Sequence, residues 1–187
     1  MAYLITGGAG FVGCNYAHRL LSRGEAVILY DNLSRRGAQA NVDWLREVHG
    51  VNAFQLVVDD VRNYHALLRA MQGADVIVHL AGQTAVTTSV FDPRADFESN
   101  ALGTFNVLEA ARCVGHGPIV LYSSTNKVYG AMDDVGVAEL PTRYAYQDFP
   151  EGIDETRPLD FHSPYGCSKG AGDQYVRDYA RIYQLPT

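Results

Sequence analysis

At 187 residues the chain is long enough to bury a core without disulfide or metal staples and too short for two ordinary domains. A formal net charge of −6, with 19% charged and 47% hydrophobic residues, describes a folding globular protein and excludes the basic face that nucleic acid requires. Cys14, Cys113 and Cys167 show no metal-ligand spacing and an odd count, so they read as reduced thiols, with no metal expected. No apolar run approaches a membrane span, and Met1-Ala2 passes directly into a strand, so no membrane partner is expected and cytoplasm is the default compartment.

Short β-rich apolar runs predict strands at Tyr3–Thr6, Ala26–Tyr30, Ala53–Val58, Asp75–Leu80 and Ile119–Tyr122. Helical periodicity fills the intervals at Phe11–Ser22, Val42–Val48, Tyr64–Met71 and Asp96–Val114, and returns at Pro164–Tyr183. Alternation of this kind predicts an α/β fold, a Rossmann-like doubly wound parallel sheet with helices on both faces, over 1–187. Residues 131–162 are rich in Asp, Glu, Pro and Tyr without periodicity and read as a long functional loop. Leu185-Pro186-Thr187 stands where another strand should begin, so the chain reads as truncated, with a C-terminal substrate domain absent from it.

The first chemistry lies between the first strand and helix. "LITGGAGFVG" sets Gly7, Gly10 and Gly13 where a tight turn lets a pyrophosphate approach the backbone N–H groups of Gly10, Phe11 and Val12 at a helix start. Asp31 ends the second strand in "ILYDNLSRRG", where a carboxylate accepts hydrogen bonds from ribose hydroxyls and repels a 2′-phosphate. Asn32, Ser34 and Arg35 surround it. Arg35 and Arg36 would pair with a 2′-phosphate, but the acid at the strand end favours NAD over NADP.

Asp60 and Val61 end the third strand and Leu80, Ala81 and Gln83 follow the fourth, along the edge that lines the ligand crevice of a doubly wound sheet. His79 reads as a packed strand residue. Asn100, polar in an apolar helix, reads either as a buried hydrogen-bonding residue or as a cofactor contact. Beyond the fifth strand, "SSTNKVYG" opens with the hydroxyls of Ser123, Ser124 and Thr125. "SPYGCSKGAGDQY" then sets Tyr165 and Lys169 four apart on one helix face. An ammonium group beside a phenol favours the phenolate and makes a tyrosine a usable base.

With these stretches in this order, the chain resembles the extended short-chain dehydrogenase/reductase family, also called the NAD-dependent epimerase/dehydratase family, over essentially its whole length. The resemblance rests on "TGGAGFVG", Asp31, "DDV", "HLAGQ", "SSTNKVYG" and "YGCSK". It implies bound NAD and a nucleotide-sugar substrate. Tyr165 is then the catalytic acid/base, Lys169 the residue that orients the nicotinamide ribose, and Thr125 the hydroxyl that meets the reacting sugar, with Ser123 at the cofactor. In the family's sugar 4,6-dehydratases an Asp and a Glu follow that threonine and eliminate water. Here Asn126 and Lys127 stand there, so the resemblance implies epimerisation by transient oxidation.

The insertion from Arg143 to Tyr175 is most similar to that of family members that epimerise C2 of a CDP-linked dideoxy sugar. UDP-galactose 4-epimerase-like activity is the alternative, and a non-catalytic NAD(P)-sensing protein the reading from another class. Tyr144, Tyr146 and His162 are candidates for substrate contact or for packing within the loop. The family also implies a homodimer through helices 96–114 and 164–183, with Tyr175, Tyr179 and Ile182 on one face of the latter; the alternative is that this apolar face closes the intramolecular core.

Overall fold

The computed structural model describes residues 1–187 in full. Five parallel strands, β1 (Ala2–Thr6), β2 (Ala26–Asp31), β3 (Gln55–Val58), β4 (Val76–His79) and β5 (Ile119–Tyr122), form one sheet in the order β3-β2-β1-β4-β5. Their β-branched runs suit a sheet buried on both faces, and successive residues point to opposite sides. Leu4 and Ile77 face a core with Leu67, Leu108 and Tyr179, whereas Ile5 and Val78 face one with Leu20, Val42 and Leu45. A helical layer covers each face. One holds α1 (Phe11–Leu21) and α2 (Ala38–His49); the other holds α3 (Tyr64–Ala70) and the helices of the second half.

The connections reverse between β1 and β4, so a crevice opens at the C-terminal edge of the sheet. Beyond β4 the chain forms α4 (Val86–Phe91), α5 (Pro93–Phe97), a π-helical turn (Glu98–Leu102) and α6 (Gly103–Cys113). The sequence predicts one helix from Asp96; the observed start is Pro93, capped by the Asp92 carboxylate accepting from Ala95 N–H at 3.0 Å. The π turn then widens the helix where Asn100 enters the interior.

Residues 131–162 are not wholly irregular. Strands β6 (Val137–Glu139) and β7 (Tyr144–Tyr146) pair antiparallel within them, and Asp160 N–H returns to Val128 O at 2.9 Å. Helix α7 (Ser163–Tyr183) follows and lies close to what precedes it. A Cβ at Gly170 would stand 2.5 Å from the Phe161 ring and one at Gly172 2.7 Å from the Tyr122 hydroxyl. The last residues run beside β5, where Val120 N–H donates to Pro186 O at 2.8 Å. No helix is long and apolar enough to cross a membrane.

Candidate active site

Gly7 leaves β1 with φ +67°, and a Cβ there would stand 2.7 Å from Ala81 N. At Gly13 a Cβ would lie 2.3 Å from Gly7 O, so turn and helix meet backbone to backbone. Gly10 caps α1 with no side chain competing for the first-turn N–H groups, which leaves the positive end of the helix available to an anion. Two braces hold the turn. Ala9 N–H donates to Asp31 Oδ2 at 3.0 Å, and Asn41 Nδ2 donates to Ala9 O at 2.7 Å.

A cavity of about 700 Å³ follows the C-terminal edges of β1 to β4. Gly7, Gly10, Phe11 and Val12 form one wall of it, and Asp31, Asn32, Ser34 and Arg35 enter from the end of β2. Asp60 and Val61 line it from β3, and Leu80, Ala81 and Gln83 from β4. Asp31 Oδ1 accepts from Leu33 N–H at 2.8 Å, so the carboxylate is held in place before any ligand arrives. Arg62 holds the Asp60 carboxyl down at about 2, and Asn32 Nδ2 donates to Asp60 Oδ2 at 2.7 Å. Arg35 Nη2 reaches across to Thr84 Oγ1 at 2.6 Å, joining the loops after β2 and β4.

Ser123, Thr125, Tyr165 and Lys169 lie outside those walls, beyond the next strand, β5. Lys169 Nζ donates to Ser123 O at 2.5 Å and stands 4.2 Å from the centre of the Tyr122 ring. Burial pushes the Lys169 ammonium down to about 8, against the opposing charges of Asp173 and Asp96. Tyr165 is buried, and its backbone N–H donates to Ser89 Oγ at 3.1 Å. Thr125 Oγ1 accepts from Lys127 N–H at 3.3 Å and so starts a 3-10 turn over Asn126–Tyr129; its own hydroxyl hydrogen stays free to donate. Asn126 and Lys127 are exposed. Tyr144 is exposed on the hairpin, Tyr146 half-buried, and His162 is the exposed residue that precedes α7.

Asn100 is buried and off the cavity wall. Its Oδ1 accepts from Gln83 N–H at 2.9 Å and its Nδ2 donates to Gln83 O, Asp96 Oδ1 and Ser168 Oγ, each at 3.1 Å. It supports the Gln83 loop from behind. His79 is also packed, but within a directed chain of hydrogen bonds. Thr104 donates to Asn100 O at 2.6 Å, so Thr104 Oγ1 accepts from His79 Nε2–H at 3.0 Å. Ala81 N–H donates to Thr6 Oγ1 at 3.2 Å, and the Thr6 hydroxyl donates to His79 Nδ1 at 2.6 Å.

The ring is therefore neutral, and burial pushes its pKa from 6.5 down to about 3, with the charge of Lys169 adding to the effect. Replacing His79 by Ala leaves the buried Thr6 hydroxyl without its acceptor and opens a cavity, so urea unfolding should report a loss of about 2–4 kcal/mol at pH 7. A depressed folded pKa gives stability that is present above pH 6.5 and lost on acidification towards 3. The variant should lack that part of the acid slope.

Sequence patterns do not assign a role to Asn41, Ser89, Asp96 or Ser168: each has a hydrogen-bond partner from another element, and although Ser168 falls within "YGCSK" its partner Asp96 stands 72 residues earlier. Of the three apolar residues expected on one face of α7, Tyr179 closes the core, buried with its hydroxyl donating to Glu109 Oε1 at 2.6 Å, while Tyr175 and Ile182 remain exposed. The two sides of α7 therefore do different work.

A parallel sheet with a glycine cradle, a carboxylate at the end of β2 and a Tyr/Lys helix beyond β5 defines a Rossmann-type nucleotide-binding protein. Residues 4–187 match the family model described as GDP-mannose 4,6 dehydratase, and the chain belongs to this family of NAD-dependent epimerases and dehydratases. A CDP-paratose 2-epimerase of Salmonella typhi is 50% identical over 189 residues, covering 100% of this chain and 55% of that protein. DesIV, a dTDP-glucose 4,6-dehydratase from Streptomyces venezuelae solved with NAD bound, superposes with a TM-score of 0.81 at 33% identity, over 99% of this chain and 53% of that one. A Thermus thermophilus UDP-glucose 4-epimerase in complex with NAD gives a TM-score of 0.77 at 34% identity, over 99% and 52%. The chain spans about half the length of the relatives it matches.

Proposed function

We propose that the chain is the cofactor-binding part of an NAD-dependent nucleotide-sugar epimerase, with a CDP-linked deoxy sugar as substrate. One observation carries this reading. The Tyr165/Lys169 helix stands beyond β5 beside Thr125, while an amide and an amine, Asn126 and Lys127, occupy the next two positions. The cradle supports the cofactor assignment: at Gly7 and Gly13 there is no room for a Cβ, and the helix N–H groups above them have no side-chain cap. Gly7, Gly10, Phe11 and Val12 would hold the pyrophosphate, and Asp31 with Asn32 the adenosine ribose. Asp60 and Val61 would frame the adenine.

When bound, NAD supplies the hydride acceptor and the returning hydride donor. Tyr165 takes the proton of the reacting sugar hydroxyl and returns it to the same oxygen once the keto-sugar presents its other face. Thr125 donates a hydrogen bond to the same oxygen, and Lys169 provides a positive charge for the phenolate and a donor for the nicotinamide ribose. Neither Asn126 nor Lys127 offers the carboxyl pair that elimination of water would need. The identity to the Salmonella typhi relative supports the CDP-sugar assignment, and the UDP-glucose 4-epimerases support a UDP-sugar as the alternative. A homodimer through α6 and α7, which expose Phe105, Tyr175 and Ile182, belongs to the same proposal. So does a substrate domain following residue 187.

The test is incubation of the full-length protein with NAD and CDP- or UDP-linked sugars in D2O. Inversion of one carbon with its own hydrogen retained is expected. A product that has lost water, or that carries solvent deuterium at that carbon, would overturn the proposal.

A further inference from the structure

Asp96 is fully buried, and none of the ion pairs in the structure includes it. A carboxylate out of water is expensive to hold unless hydrogen bonds replace its hydration. Three side chains from three elements do so. Gln83 Nε2 donates to Oδ1 at 3.0 Å, Asn100 Nδ2 donates to the same oxygen at 3.1 Å, and the Ser168 hydroxyl donates to Oδ2 at 2.5 Å.

These donors belong to different parts of the site. Gln83 lines the cavity and fixes the turn that follows, accepting from Ala85 N–H and donating to Ala85 O at 2.7 Å. Ser168 sits on α7 between Tyr165 and Lys169. Asn100 binds Ser168 and both backbone groups of Gln83, closing the ring of contacts. A second link runs alongside, since Ser89 of α4, the helix that follows the Gln83 turn, accepts from Tyr165 N–H. The cavity loop and the Tyr165/Lys169 turn thus share one buried acceptor, and neither can shift without the carboxylate losing a donor.

We infer that Asp96 is a positioning residue, whose carboxylate couples occupation of the dinucleotide cavity at Gln83 to the placement of Tyr165 and Lys169 through Ser168. The coupling rests on the cofactor reading above. It needs no movement of the sheet: a ligand that orders the Gln83 loop tightens one side of the carboxylate, and the other side holds α7. A charged acceptor suits this better than an amide, because both oxygens must accept while three donors face them.

Hydrogen exchange with and without NAD tests the coupling on the whole protein. In the unmodified protein NAD should slow exchange about tenfold both at residues 80–86 and at 163–170. Ser168→Ala leaves the carboxylate and Gln83 intact but cuts the α7 side. The NAD effect should persist at 80–86 and fall by at least about half at 163–170, leaving the part that the Lys169 contact with the nicotinamide ribose and the Ser89–Tyr165 bond supply, with NAD affinity changed by no more than about twofold. Asp96→Asn, with circular dichroism to verify folding, should do the same, and Asp96→Glu should restore part of the effect. In turnover, Ser168→Ala should lower kcat about tenfold without raising KM for the sugar. A response at 163–170 that Ser168→Ala leaves undiminished overturns the coupling and leaves the cofactor reading standing. No NAD response anywhere in the unmodified protein overturns the cofactor reading and the coupling with it.

Discussion

Tyr165→Phe is expected to lower turnover by about three orders of magnitude while leaving NAD affinity within about threefold, measured by steady-state kinetics and calorimetry. The ring stays in its buried site at the start of α7, and only the proton-transferring oxygen is lost. Lys169→Met should be similarly inactive, with an opposite effect on stability. The ammonium sits on Ser123 O in a buried place that lowers its pKa from 10.5 to about 8.

A group whose folded pKa is depressed destabilises the fold fully below that value and ceases to as pH rises from about 8 to 10.5. Thermal unfolding at pH 7 should therefore find Lys169→Met more stable than the parent by about 1–2 kcal/mol, once the lost hydrogen bond is counted. That gain should shrink above pH 8. Activity of the parent should fall over the same range, because the positive charge that supports the phenolate disappears.

Gly13→Ala carries the second large effect. The added methyl would meet Gly7 O at 2.3 Å and Gly8 Cα at 2.8 Å, both backbone atoms of the turn proposed to hold the diphosphate. Neither can move without pulling on β1, so a loss of about 3 kcal/mol or more in urea unfolding and a drop of at least about a hundredfold in NAD affinity are expected. Gly24→Ala is the control. It also places a Cβ on a special backbone, with φ +75°, but nothing lies within 4 Å of it. Only the left-handed strain of about 1–2 kcal/mol should appear there, and NAD binding should be untouched.

The features legible from sequence were those written in adjacent residues. All five strands are short apolar runs, buried at the centre of the sheet and partly exposed in the edge strands β3 and β5, and the glycine turn, Asp31 and the Tyr165/Lys169 spacing each lie within one short stretch. Helix α4 was missed because Val86-Thr-Thr-Ser-Val-Phe91 is short and strand-like in composition, so tertiary packing decides its form. The π turn has no sequence signature, since it depends on a shift of hydrogen-bond register. Asp92-Pro93 did mark the helix start by ordinary capping rules and went unread in favour of the apolar periodicity that begins later. The β6–β7 hairpin lies in three-residue strands too brief for alternation to register. Asp96 and Asn100 lie one helical turn apart, but Ser168 joins them from 72 and 68 residues further on, and only folding brings the three polar groups together.

The Arg35–Thr84 bridge has a kinetic consequence. It ties together two loops that line the cavity, so the loops after β2 and β4 part only when a charged clasp is undone. An enzyme that consumes its oxidant must exchange it at every cycle and would be throttled by such a clasp. A catalyst that regenerates the oxidant in situ loses nothing by slow release, and can keep a single coenzyme molecule through many turnovers.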